Sequence, residues 1–425
     1  MIDRLHAPAF KTFDKIDVIK ANKSKLNNGV DLFTVSAGSQ EITRLEFVFK
    51  AGMYYQPATL VSSFTNSLME SGTKSYSAHE LSDGIDFYGS FLELGVGQDY
   101  SGVTLFSLNK YLKDSLKFVQ EIIQAPVFDA NEFNIHLTNK KQRHFINSQK
   151  VNVIARRKFS ELLFGEKHPY GMQVQDSDFD RVNRNEILDF YQKNYSNNSC
   201  TIIASGNLPD DLTSTLNNLF GKKWGSESGL HSNPEKINSV SQNKHFFVKE
   251  DAVQSAIRIG RVLFNKTHPD FFHMQVLNTI LGGYFGSRLM ANIREDKGYT
   301  YGIGSGIMSL VNSGYFFIST EVGADVTEAA VKEIYKEIAI LREELVSTEE
   351  LETVRNYILG QFLRSVDGPF ALADKFRAIW EFGLDYSYFD SYIKAVRTVT
   401  PQQLRDVANK YLQEKDLIEC IVGRK

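Results

Sequence analysis

The run at 44–50 alternates polar and apolar residues with period two, which predicts a strand with one buried and one wet face. Further strand patterns lie at 30–35, 90–97, 100–107 and in the apolar run 200–204 that ends in Gly206. Between them the period lengthens to that of a helix. A first helix is predicted at 58–71, stopped by Gly72, and a second from Ser77 to near Gly89. Ser77 followed three residues later by Glu80 has the spacing of a capping box. Helical patterns then cover 111–124, 131–163 and 184–195.

After residue 243 the same order returns. Strands are predicted at 244–249 and 255–264, helices at 270–281 and 286–297, strands at 299–305 and 314–322, three or four helices within 326–411, and a closing strand at 417–422. The closing glycines, Gly206 and Gly423, are 217 apart, and Gly89 and Gly298, each ending the second helix of its half, are 209 apart. The near agreement predicts one structural unit used twice. The expected organisation is α+β: two related domains, 1–225 and 244–425, each a mixed or antiparallel sheet packed on helices. A linker at 226–243 joins them, closing a segment, 208–243, that is rich in Ser, Asn, Gly and Lys and holds one more helix.

Composition narrows the class. The 425 residues are 42% hydrophobic and 23% charged, so a folded protein with real cores is expected rather than a disordered chain. The net charge of −3 lacks the basic excess of a nucleic-acid binder. No stretch reaches the roughly 18 apolar residues of a membrane span, and the first residues show no secretory pattern, so a cytoplasmic location is expected. Cys200 and Cys420 are too few for a disulfide framework or a four-Cys zinc site.

Candidate chemistry is sparse. The glycines of 282–288 sit between two helices without the Lys-Ser/Thr ending of a phosphate loop, and read as a close-packed turn. No His-x-x-x-His, His-x-x-Glu-His or Gly-x-Ser-x-Gly is present, so the chain carries no complete catalytic constellation. Arg294 in a last helical turn suits the negative end of the helix dipole. Tyr301, two residues beyond Tyr299, is expected on the same strand face. A fixed cation and a phenol converging on one pocket could hold a carbonyl or a developing oxyanion.

With Gly52, Gly72-Thr73, His168-Pro169-Tyr170-Gly171 and the run Ser287-Arg288-Leu289…Arg294-Glu295…Gly298…Tyr301, the chain resembles the pitrilysin/insulinase family of inverted zinc peptidases over nearly its whole length. The resemblance implies the repeated α+β fold. It places the family's His-x-x-Glu-His positions at Ser63, Asn66 and Ser67, which are poor zinc ligands, and Asn66 has no useful pKa for a general base. The stretch 133–155 contains no Glu, so the third ligand is missing as well. The family's substrate-gripping Arg and Tyr, by contrast, are matched by Arg294 and Tyr301. The implied role is a non-catalytic subunit that binds no metal itself. A zinc-bearing paralogous partner would supply the metal, and a peptide would be the substrate. A homodimer in isolation is a further possibility of this reading. Two rivals are a scaffold subunit of a larger assembly and a self-contained zinc peptidase. Intact function after loss of Arg294 and Tyr301 would mark the first, and stoichiometric zinc the second.

Overall fold

The computed structural model describes residues 18–226, 237 and 242–424. Strands β1 (Asn22–Lys25), β2 (Asp31–Ser36) and β3 (Ile42–Phe49) open the first half, followed by helices α1 (Val61–Leu68) and α2 (Ala78–Phe87). The hairpin β4 (Phe91–Val96) and β5 (Ser101–Leu108) comes next. Helices α3 (Leu112–Gln124), α4 (Ala130–Asn147), α5 (Val151–Phe164), α6 (Asp178–Arg181) and α7 (Arg184–Asn194) follow, then β6 (Cys200–Gly206) and α8 (Leu212–Phe220). The second half runs β7 (Lys244–Val248), β8 (Gln254–Leu263), α9 (Phe271–Asn278), β9 (Ile303–Leu310) and β10 (Ser313–Gly323). It ends with α10 (Thr327–Glu343), α11 (Thr348–Arg364), α12 (Pro369–Trp380), α13 (Ser387–Thr398), α14 (Pro401–Tyr411) and β11 (Ile418–Gly423). The tail thus holds five helices where three or four were expected. Most of the expected linker at 226–243 lies outside the described residues.

Two sheets share one topology. The first has the order β1-β2-β6-β3-β5-β4 and the second β7-β11-β8-β10-β9. In each, the closing strand lies parallel to the opening strand and antiparallel to the next, as β6 does to β2 and β3 and β11 to β7 and β8. Gly89 and Gly298 both adopt positive φ, 60° and 67°, the conformation for which glycine costs least. The expected capping box is present: the Glu80 amide donates to Ser77 Oγ at 3.3 Å, and the Ser77 amide donates to Glu80 Oε2 at 2.8 Å.

Two departures from the sequence pattern have one cause. The helix expected at 131–163 breaks at Ser148–Lys150, where Lys150 is extended. The break frees α5 to leave its own half and pack on β8 and β11 of the second sheet. In return α12 of the second half packs on β2 and β6 of the first sheet. Each sheet is therefore covered on one face by its own helices and on the other by a helix of its neighbour. This corrects the expectation of a wet face on the 44–50 strand. Leu45, Phe47 and Phe49 fill the first core, while Arg44 and Glu46, on the opposite face, are only 7% and 5% exposed. Arg44 Nη2 lies 2.7 Å from Glu46 and 2.7 Å from Asp374, and Arg377 of α12 reaches Glu46 at 2.9 Å.

The His168-Pro169-Tyr170-Gly171 motif forms a second joint. The His168 ring stacks on Phe164, and its Nδ1 accepts from the Tyr170 amide at 3.1 Å. The Tyr170 hydroxyl donates to Asp99 and accepts from the Asn312 amide, and Asp99 also accepts from the Val311 amide at 3.0 Å. One buried phenol and one buried carboxylate thereby satisfy the turn between β9 and β10. Both cysteines are buried, and burial pushes the Cys420 thiol up to about 12 and that of Cys200 up as well.

Candidate functional site

Helix α1 turns Val61, Phe64 and Leu68 into the first core. Ser63 and Ser67, four residues apart, share its half-buried side. Ser63 Oγ is turned back on its own helix and donates to the Leu60 carbonyl at 3.0 Å. Asn66 points inward and is 1% exposed. Its Nδ2 donates to the Gly102 carbonyl at 3.2 Å and to the Tyr195 hydroxyl at 3.3 Å, tying α1 to β5 and to the end of α7. An amide here is a packing polar group, not a proton acceptor.

Helix α4 lies against α1 and brings groups that the sequence reading passed over. His136 meets the Phe64 ring edge-on at 4.8 Å, and Lys140 Nζ sits 5.9 Å over the same ring. The helical spacing of Phe133, His136, Leu137 and Lys140 was the available signal, since residues three and four apart face one neighbour. Burial first, then the charges of Lys140 and Arg143, press the His136 pKa down to about 4. Burial lowers Lys140 too. A catalytic zinc needs three nitrogen, sulfur or carboxylate donors at about 2.0–2.2 Å, or about 2.3 Å for sulfur. Two serines, an amide and one histidine flanked by a lysine do not fit that group. Among the described residues no cluster of three or more His, Cys, Asp or Glu could hold a metal ion.

The His136 environment has a consequence for stability. Its folded pKa lies below the ordinary 6.5, so the folded state resists a proton that the unfolded chain accepts. Stability present above about 6.5 is expected to fall as pH drops towards about 4. Urea midpoints measured across that window should fall less steeply for His136→Gln than for the wild type. Equal slopes would show that His136 is not desolvated as described.

In the second half, Met290–Asp296 forms a π-helical segment packed on α10 and β9, a wide-turned geometry often retained near functional sites. Met290 and Ile293 enter the second core. Asn292 Nδ2 donates to Glu333 and Glu337 of α10 at 3.0 and 2.7 Å. Arg294 faces outward. Its guanidinium lies 4.7 Å over the Phe285 ring, and its Nε donates to the Tyr301 main-chain carbonyl at 3.0 Å. The preceding Gly282 permits the close turn: a Cβ there would stand 2.7 Å from the Ser305 amide nitrogen. Arg288 of the same motif is structural, forking onto Glu350 of α11 at 2.8 and 2.7 Å.

Tyr299 and Tyr301 do not share a strand face. The strand begins only at Ile303, because the Thr300 hydroxyl closes 299–302 into a turn. That hydroxyl accepts from the Gly302 amide at 3.1 Å and donates to the Glu321 carbonyl at 2.7 Å. Tyr299 packs on the second core, while Tyr301 is 96% exposed. The structure thus joins Arg294 to Tyr301 through the backbone and leaves the phenol free of the fold. The three α1 positions and the Arg294–Tyr301 pair lie in different halves.

Fold and site together define a chain of two related α+β modules whose α1 presents Ser63, Asn66 and Ser67, side chains that make poor zinc donors. Residues 181–358 match the family model described as Peptidase M16 inactive domain, which spans the end of the first half and most of the second. The chain is 24% identical over 399 residues to an uncharacterized zinc protease of Rickettsia bellii, covering 91% of this chain and 90% of the relative. It is 20% identical over 369 residues to the non-peptidase homolog YmxG of Helicobacter pylori, covering 84% and 83%. In fold it is similar to the crystal structure of a peptidase M16 inactive domain from Pseudomonas fluorescens, with a TM-score of 0.85 at 20% identity over 95% and 98% of the two chains. A chain of Complex III2 from Candida albicans has a TM-score of 0.76 at 13% identity over 95% of each chain. Residues 181–358 thus match the M16 inactive-domain model, and over nearly its whole length the chain has the two-module fold of these solved structures. Among the described residues no helix is long and apolar enough to cross a membrane.

Proposed function

We propose that this chain is the zinc-free subunit of a two-chain peptidase, presenting Arg294 and Tyr301 to a peptide held at the metal site of a paralogous partner. One observation carries the reading. Tyr301 is 96% exposed while its main-chain carbonyl accepts from Arg294 Nε, so a large phenol stands in solvent beside a cation where it covers no core. Folding gains nothing from that arrangement, whereas a bound peptide would be met by a phenolic O–H and a guanidinium side by side. The partner's zinc would activate water, and this chain would orient the peptide carbonyl with a cation and a phenolic O–H. Ser63, Asn66 and Ser67, spent on packing, would take no part. Both chains would work in the cytoplasm, and the purified chain alone could pair with itself.

The test is reconstitution. The purified chain is expected to cleave no peptide and to hold no stoichiometric zinc. Mixed with a paralogue carrying His-x-x-Glu-His, it should form a complex that hydrolyses peptides faster than the paralogue alone. Zinc and activity in the isolated chain would overturn the proposal. The resemblance in fold to a chain of Complex III2 supports a second reading, a scaffold subunit with no peptidase role. On that reading the mixture would gain nothing.

A further inference from the structure

A cavity of about 410 Å³ lies inside the second half among α9, α11, α12 and α13, apart from both α1 and Arg294. Its size falls within the roughly 300–1,000 Å³ of small-molecule sites. Six aromatic side chains line it: Phe271, Tyr357, Phe362, Tyr388, Phe389 and Tyr392. Two lysines, Lys266 and Lys375, reach the same space.

The lysines are placed unusually. Both are half-buried. Lys266 Nζ donates to the Ala378 carbonyl at 2.7 Å and lies 4.5 Å over the Phe382 ring, and Lys375 Nζ lies 5.6 Å over Phe362. Among the described residues neither forms an ion pair with a carboxylate. The acids whose charges act on them make their direct pairs elsewhere: Glu381 with Arg377 at 2.8 Å and Asp374 with Arg44 at 2.7 Å. Burial lowers the pKa of both lysines and outweighs the opposing charges of Glu381 on Lys266 and Asp374 on Lys375, while the charge of Lys375 adds to the lowering at Lys266. Two lysines therefore share a partly desolvated aromatic chamber with no carboxylate in ion-pair contact among the described residues, an arrangement that a bound anion would complete. Burial also holds the phenols of Tyr388 and Tyr392 protonated, so they remain donors.

We infer that this cavity binds a small aromatic carboxylate, its ring among the six aromatic side chains and its carboxylate between Lys266 and Lys375. The rings supply stacking surface, and the lysines select the charge. The site lies within one chain and does not depend on a partner subunit or on the role of Arg294.

The probe is 2-naphthoate, titrated calorimetrically into the full-length protein, with the uncharged isostere 2-naphthamide as control. The acid is expected to bind at least about tenfold more tightly than the amide. Lys375→Met should weaken naphthoate about tenfold and Lys266→Met/Lys375→Met further, with naphthamide unchanged. Thermal melting of each variant at or above the wild-type temperature would show that the fold is retained. Equal affinity for acid and amide, no naphthoate binding at millimolar concentration, or undiminished naphthoate binding by a folded double variant would each overturn the inference.

Discussion

Replacing Arg294 by alanine is expected to lower kcat/KM of the reconstituted two-chain enzyme by about 100- to 1,000-fold, the range for losing one fixed donor to a developing oxyanion. Tyr301→Phe removes only a phenolic O–H and should cost somewhat less, about 100-fold. Arg294 is expected to matter more because it acts twice. It carries the charge, and its Nε holds the Tyr301 carbonyl at 3.0 Å. Arg294→Lys keeps the charge but loses the planar fork, so it should recover only part of the rate. Neither residue supports a core, since Tyr301 is 96% exposed and Arg294 lies outside the apolar clusters. Thermal melting and complex formation, read by light scattering, should therefore be unchanged. Determining kcat and KM separately distinguishes grip on the ground state from grip on the transition state. Wild-type rates in both variants, with the complex intact, would remove Arg294 and Tyr301 from the substrate site and overturn their proposed role.

The second large effect is on stability. Arg44→Met is expected to destabilise the protein by about 3 kcal/mol, measured from urea unfolding midpoints. Arg44 is 7% exposed, and Glu46 beside it is 5% exposed. Removing one member of a buried pair leaves the other charged and desolvated, which typically costs about 3–5 kcal/mol. The low end applies here because Arg377 still reaches Glu46 at 2.9 Å. The double variant Arg44→Met/Glu46→Leu should lose less than Arg44→Met alone, since it leaves no buried charge unpaired: Arg377 keeps Glu381 at 2.8 Å, and Asp374 is exposed. A loss within about 0.5 kcal/mol for Arg44→Met is the size of an ordinary surface substitution and would mean that α12 does not seal this face.

These charges also mark where reading the chain as a sequence fell short. Period-two alternation at 44–50 separates two faces correctly, but it cannot say what covers the polar one. That cover, α12, begins some 320 residues later. The break at Ser148–Lys150 was hidden for a related reason. Helical periodicity continues through 131–163, and only docking of α5 on the opposite sheet rewards an extended residue there. The misplaced strand start at Tyr299 turned on one hydroxyl, Thr300, whose partners Glu321 and Gly302 lie on or beside the neighbouring hairpin. That Ser63, Asn66 and Ser67 make poor zinc ligands was legible because it depends on side-chain chemistry alone. His136 and Lys140 were not singled out, because their relevance arises only from the packing of α4 on α1.

By itself the sequence determined the element types, the repeat and the absence of zinc donors on the first helix. Each rests on local periodicity, glycine punctuation or residue chemistry, which act over a few residues. Only the tertiary structure decided which helix covers which sheet, why Arg44 and Glu46 are buried, where Tyr301 points, and that Lys266 and Lys375 meet in one aromatic chamber. Those outcomes are set by contacts between segments far apart in the chain, where burial and charge pairing outweigh local preference.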